Sequence, residues 1–248
     1  MPLKGNYWKW KGPELKFESP LIPATLIKRY KRFLADAVLA DGSEITAHCP
    51  NTGSMRSCGE PGDTIMLSHN PSPKRKLSYT WEYTKTHKGY IGINTQRPNR
   101  IVEEAISRQQ IPSLSGYDHI RREVPYGDRS RIDLLLEDKK KGRCWIEIKN
   151  VTLIEGDKLL FPDAITSRGL KHIKELQHML LSGDRCVLFF LINRPDGKSF
   201  SPAIHIDEAW SRQLAMAADE GLEIMAYRAK SLVTGVSLGK EVPFVFPD

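Results

Sequence analysis

Three ionisable residues stand inside apolar sequence in SRIDLLLEDKKKGRCWIEIKN, residues 130–150. Asp133 interrupts the run at 132–136, and Glu147 and Lys149 interrupt and follow the run at 144–148. Burying such a charge costs several kcal/mol unless it is paired or bound to metal. A strand period of two sets Glu147 and Lys149 on one face and Ile146 and Ile148 on the other. If EDKKKGR turns a hairpin, Asp133 comes beside Glu147. Two close carboxylates repel unless one is protonated or a cation lies between them. Mg²⁺ (or Mn²⁺) suits such a pair, because it takes one or two carboxylates, keeps several waters and binds phosphate oxygens. Lys149 could then hold or deprotonate an attacking water while metal and ammonium offset charge developing on a phosphodiester. A helix acid, Glu103 or Glu104, would complete the cluster. Against this, Glu-x-Lys is also common on solvated strand faces, and an Asp fourteen residues earlier adds little by itself.

The elements that must position these groups follow from the patterning. HIRREVPYG, SRIDLLLED and RCWIEIKNVTL read as three consecutive strands, with PNRIVEEAISRQ as a helix before them. TSRGLKHIKELQHMLLSGD opens on a Thr/Ser cap and closes at Gly, with Leu170, Ile173, Leu176 and Leu180 as its core stripe. CVLFFLINR is a buried strand, DEAWSRQLAMAADEG a helix and LEIMAYRA a final strand. This order predicts a mixed α/β sheet with helices on its faces. The segment before it differs. Short strands, an Asp41-Gly42 hairpin signal and the loops HCPNTGSMRSCGEPGD and PSPKRK suit a small OB-type β-barrel. The boundary falls near residues 95–98, giving domains 1–97 and 98–248.

The 248-residue chain carries a net charge of +7. Residues 1–97 hold 15 Lys and Arg against 8 Asp and Glu, whereas 98–248 hold 22 of each, so the whole excess lies in front. Such asymmetry predicts a front half that meets a polyanion. The opening MPLKGNYWKW has no apolar core of a signal peptide, and CVLFFLI is too short to span a bilayer. Four scattered cysteines without a CxxC pair fit reduced thiols and a cytoplasmic chain.

Lys74, Arg75 and Lys76, followed by Tyr79, Trp81 and Tyr83 on alternate positions, join a phosphate-attracting loop to a stacking face. The same aromatics could instead line the barrel core. Lys28, Arg29, Lys31 and Arg32 in KRYKRF are further phosphate candidates, although charged strands also serve as protected edges. Arg168, Lys171 and His172 could clamp phosphates near the metal or be ordinary helix-surface charge, and Arg131 could contact phosphate or only pair with a carboxylate. His48, Cys49 and Cys58 have poor zinc spacing. Asn51, Thr52, Gly53 and Ser54 fit a turn that offers backbone N–H groups to an anion.

RYKRFLADA, HCPNTGSM, SPKRKLSYTWE, INTQRPN, SRIDLLL, IEIKNVTL, FPDAITSRGLKHIKEL and FFLINRPD run through nearly the whole chain. On these segments the sequence resembles the sugar fermentation stimulation protein family (SfsA). The resemblance implies an OB-type domain followed by a PD-(D/E)XK nuclease-like domain, DNA binding, and a link to sugar (maltose) metabolism. On that fold's pattern Asp133, Glu147 and Lys149 fall on the core active-site positions, with Glu104 the preferred helix acid. Asp133, Glu147 and Glu104 would then be the metal ligands. The fold also serves as a scaffold for binding without cleavage, so a non-cutting DNA-binding regulator is the alternative.

Overall fold

The computed structural model describes residues 15–247; the opening decapeptide lies outside them. Six strands form the first unit: β2 (Ile22–Tyr30), β3 (Leu34–Leu39), β4 (Glu44–His48), β5 (Thr64–His69), β6 (Tyr79–Thr86) and β7 (Gly89–Gly92), ordered β4-β3-β2-β5-β6-β7. Parallel pairing of Ala47 with Tyr79 and His48 with Thr80 closes β4 onto β6. The result is a five-stranded barrel of OB connectivity, as the sequence predicts. The Asp41-Gly42 turn joins β3 to β4, with Gly42 at φ 85° and the Asp41 carboxylate accepting from the Ser43 N–H at 2.9 Å.

Leu26, Ile65, Leu67, Trp81, Ile91 and Ile93 fill the barrel. A register shift between β5 and β6 places Tyr83 opposite Met66 but Trp81 opposite Leu67. One extra residue flips the side-chain alternation. The expected aromatic ladder is therefore broken: Trp81 is fully buried in the barrel and donates to the Tyr83 carbonyl at 3.0 Å, while Tyr83 packs outside with Leu21 and Met66. Trp81 cannot stack on a base.

The second unit is built on a seven-stranded sheet ordered β1-β16-β15-β13-β10-β9-β8. Its strands are β1 (Leu15–Lys16), β8 (His119–Tyr126), β9 (Ser130–Asp138), β10 (Gly142–Val151), β13 (Arg185–Ile192), β15 (Glu223–Leu232) and β16 (Gly235–Glu241). β10, β13 and β15 are parallel neighbours, and the remaining pairings are antiparallel. Helix α1 (Pro98–Ser107) covers one face through Ile101, Val102 and Ala105. Helices α2 (Ser167–Leu181) and α3 (Glu208–Asp219) cover the other through Ile173, Leu176, Trp210 and Leu214. Thr166 caps α2 by accepting from the Gly169 N–H, and Asp207 caps α3 by accepting from the Trp210 N–H. A small sheet of β11 (Leu153–Glu155), β12 (Lys158–Phe161) and β14 (Ser199–Pro202) sits beside it.

One part of the division at residue 97 needs correction: Leu15 and Lys16 pair with Val236 and Gly235, so this segment belongs to the second sheet. The two units are locked together. Gly92 N–H donates to the Asn193 carbonyl at 2.7 Å, and a Cβ at Gly92 would lie 2.2 Å from Asn193 Oδ1. Buried Arg194 donates to Ser57 of the barrel, at 3.2 Å, and forms an ion pair with Asp196.

Candidate active site and nucleic-acid interface

Asp133 sits where two strands part. β9 pairs with β10 from Asp138↔Gly142 down to Leu134↔Ile146, and stops there. Continuing that register by one residue would set Asp133 against Glu147. Instead the Asp133 carboxylate takes over the ladder: Oδ2 accepts from the Ile148 N–H and Oδ1 from Asn99 Nδ2 of α1, each at 2.7 Å. Burial and then the Glu147 charge push the Asp133 carboxyl up to about 6. The hairpin has brought the two acids into electrostatic range.

Glu147 is 3 % exposed and projects towards α2, as the strand period requires, while Ile146 and Ile148 join the core on the α1 side. Its Oε1 accepts from Lys149 Nζ at 2.6 Å and contacts His172 Nδ1. Burial raises the Glu147 carboxyl, but Lys149 and His172 outweigh it, so the net shift is downward. Oε2 is buried with no hydrogen-bond partner. Tyr126 lies in the same negative field: burial first, then Glu147, Glu175 and Asp133, push its hydroxyl upward. Both Tyr126 Oη and Glu175 Oε2 are buried without a partner.

The helix acid falls elsewhere. Glu104 forms an ion pair with Arg108 at 2.6 Å along α1, and Glu103 pairs with Arg122 of β8. The α1 residue that touches Asp133 is Asn99, one turn nearer the helix start than Glu103. Among the described residues no three His, Cys, Asp or Glu side chains gather at metal-binding range. Two carboxylates remain, one with an orphaned oxygen and one whose carboxyl burial and the Glu147 charge push upward. That hard-oxygen set fits a Mg²⁺-type ion that keeps several waters; it does not fit a closed three-acid cage.

Beside this pair opens a polar cleft of about 400 Å³ between the two units. Lys149, Asn99, Asn150 and Arg168 line one wall; Asn51 and Thr52 of the HCPNTGSM loop line the other. The loop does offer N–H groups to an anion, and that anion is internal: Asp163 Oδ2 accepts from the Ser54 N–H and hydroxyl, both at 2.9 Å. Arg29 holds the same loop, donating to the Asn51 and Gly53 carbonyls at 2.8 and 3.0 Å. Arg29 is therefore a scaffold residue rather than a free phosphate contact. Cys49 and Cys58 are buried free thiols, Cys58 raised to about 12 by burial.

The other basic candidates divide. Lys31 and Arg32 sit exposed in the β2–β3 turn with positive φ, and Lys28 is exposed, 3.8 Å from Asp36. Lys74, Arg75 and Lys76 are exposed on the loop before β6, and Tyr79 is half-buried with its ring stacked on His69. Arg131 is exposed and donates to the Glu123 carbonyl. Lys171 contacts the Asp128 carbonyl and lies 3.6 Å from Glu175. Arg168 reaches the cleft and donates to His172 Nε2 at 3.4 Å, so His172 links Arg168 to Glu147 rather than clamping phosphate itself.

Residues 27–93 match the SfsA N-terminal OB domain, and residues 96–234 match the sugar fermentation stimulation protein RE domain. The chain belongs to the sugar fermentation stimulation protein family. A family member from Geobacter metallireducens is 50% identical over 232 residues, covering 93% of this chain and 100% of that protein. Another from Geotalea uraniireducens is 52% identical over 219 residues, covering 88% and 94%. The solved structure of Pyrococcus furiosus SfsA in complex with Ca²⁺ superposes with a TM-score of 0.85 at 27% identity, covering 94% of this chain and 99% of that one. The OB barrel and the nuclease-like α/β domain are thus family architecture, and the family models divide between residues 93 and 96.

Proposed function

We propose that this cytoplasmic protein binds DNA and hydrolyses phosphodiester bonds with a divalent metal at Asp133 and Glu147. The observation that carries this reading is the orphaned, buried Glu147 Oε2 beside a second carboxylate whose proton affinity burial and then the Glu147 charge have raised. Asp133 and Glu147 would hold Mg²⁺ or Mn²⁺, which would supply charge to offset the developing negative phosphate oxygens. The Pyrococcus furiosus relative was solved in complex with Ca²⁺, an ion that takes oxygen ligands, which supports a divalent cation here. Lys149, whose Nζ donates to Glu147 and which lines the cleft, would hold an attacking water or a phosphate oxygen. Asn99 orients Asp133, and Arg168 supplies a further cation on the cleft wall. An effect on sugar fermentation would then be exerted through DNA.

Incubation with labelled single- and double-stranded DNA and RNA in Mg²⁺, Mn²⁺ or chelator tests the reading. Metal-dependent product is expected, and Lys149→Ala or Asp133→Ala should remove it. Cleavage that survives both substitutions arises elsewhere. The second reading, a binder that does not cut, draws on the hydrogen bonds already made by both Asp133 oxygens. It predicts salt-sensitive retention on DNA with no product in any metal.

A further inference from the structure

α1 has a second set of neighbours on its barrel side. Two adjoining cavities, of about 250 and 360 Å³, share Ser68, Arg75, Arg97 and Arg100. The Arg100 guanidinium is exposed, and neither it nor Arg75 forms an ion pair among the described residues. Arg75 donates only to a hydroxyl there, Thr80 Oγ1, at 2.9 Å. The carboxylate at the floor, Glu82, is already consumed: Arg97 takes both its oxygens, with Ser68 and Asn94 adding one bond each. Glu18 and Lys16 add one charge of each sign to the walls, and the Glu18 charge acts on Arg97. Two guanidinium charges are left uncompensated. The Arg75 charge reaches His48, whose imidazole is pushed down by burial and then by Arg75. At the rim the exposed His69 ring lies on Tyr79, centroids 4.6 Å apart and 25° from parallel, giving a flat π surface beside the cations.

We propose that this groove is a second nucleic-acid subsite, which grips the sugar–phosphate backbone of a strand through Arg75 and Arg100 and stacks a base on His69. Guanidinium forks match phosphate oxygens, and a π face accepts any base. The first turn of α1 divides the two sites: Pro98 and Asn99 line the cleft beside Asp133, while Arg97 and Arg100 line the groove. One strand crossing that turn would be held on both sides of the linkage presented to the carboxylates. The inference rests on the nucleic-acid reading above and adds where the flanking strand lies.

The test uses the whole chain in chelator, so that binding is read without cleavage. Anisotropy of fluorescein-labelled oligothymidylates of increasing length, and of a hairpin duplex, is measured over a salt series. Arg75→Ala/Arg100→Ala should bind at least about tenfold more weakly and lose about 1.4 from the salt slope, two phosphate contacts at about 0.7 each for single strands. It should also lose the gain in affinity with length that the wild type shows. His69→Ala should weaken binding several-fold with the slope unchanged. Arg212→Ala, an exposed cation on α3, should leave both unchanged. A double variant that melts and binds like the wild type removes the groove from the interface and leaves the nucleic-acid reading standing. A wild type that binds none of these probes overturns both.

Discussion

Each unit of the molecule buries glutamate, and two of these residues, Glu82 and Glu147, are treated in opposite ways. Glu82 in the barrel is 1 % exposed and Glu147 in the sheet is 3 % exposed. Both oxygens of Glu82 are satisfied, by Arg97, Asn94 and Ser68. At Glu147 all partners crowd onto Oε1, and Oε2 has none. A buried charge with every lone pair engaged is a structural joint. One left partly unpaired in a folded protein asks for a ligand. Glu175 on α2 also leaves Oε2 unpaired, so an orphaned oxygen marks Glu147 as the site only together with the neighbouring Asp133 carboxylate and Lys149 at the cleft.

The comparison breaks if the two glutamates respond alike. Glu147→Gln should lower metal-dependent cleavage by at least about a hundredfold and abolish the rise in melting temperature that Mg²⁺ or Ca²⁺ gives the wild type. That rise would correspond to about 2.7 kcal/mol at a hundred times Kd. Glu82→Ala should cost about 3 kcal/mol in urea unfolding, because it strips Arg97 of its partner, while the increment on adding metal persists. A metal response lost in both variants would show that Oε2 has no special role.

Smaller effects sharpen the picture. Gly92→Ala forces a Cβ into Asn193, whose Nδ2 donates to Asn150 in the cleft. About 1–3 kcal/mol of overpacking should appear in unfolding, along with weaker nucleic-acid binding. Asp133→Asn should show a pH signature. Folding raises the carboxyl from 3.8 to about 6, so below the lower value there is no effect, and wild-type stability falls as pH rises through the upper one. In chelator the variant's advantage in melting temperature should grow from pH 4 to 6, then level off, on the order of 1 kcal/mol after discounting for partial exposure. A flat difference would show that neither burial nor Glu147 raises the Asp133 carboxyl.

Asp133, Glu147 and Lys149 were legible because a hairpin and a period of two are local rules. The OB barrel and the α1–α3 helices were legible for the same reason. Glu104 failed because helix register against a sheet is set by packing: the position facing Asp133 holds Asn99, an amide that a search for acids passes over. Trp81 and Tyr83 parted because a bulge in the β5–β6 pairing leaves no mark in an alternating sequence. Neither the pairing of Leu15 and Lys16 with β16 nor the short strands of the small sheet could be read, since a few residues carry no period. The groove on the barrel side of α1 was half visible in Arg75, while no motif or spacing singled out Arg97 or Arg100.

The Arg97–Glu82 pair spans the seam that the family models draw between residues 93 and 96. A fragment cut there would strand an anion in the barrel and a cation on the remainder, besides severing Gly92 from Asn193. Neither half can be lifted out as a portable module without rewriting its cut edge, so these two units must be inherited, expressed and engineered as one piece.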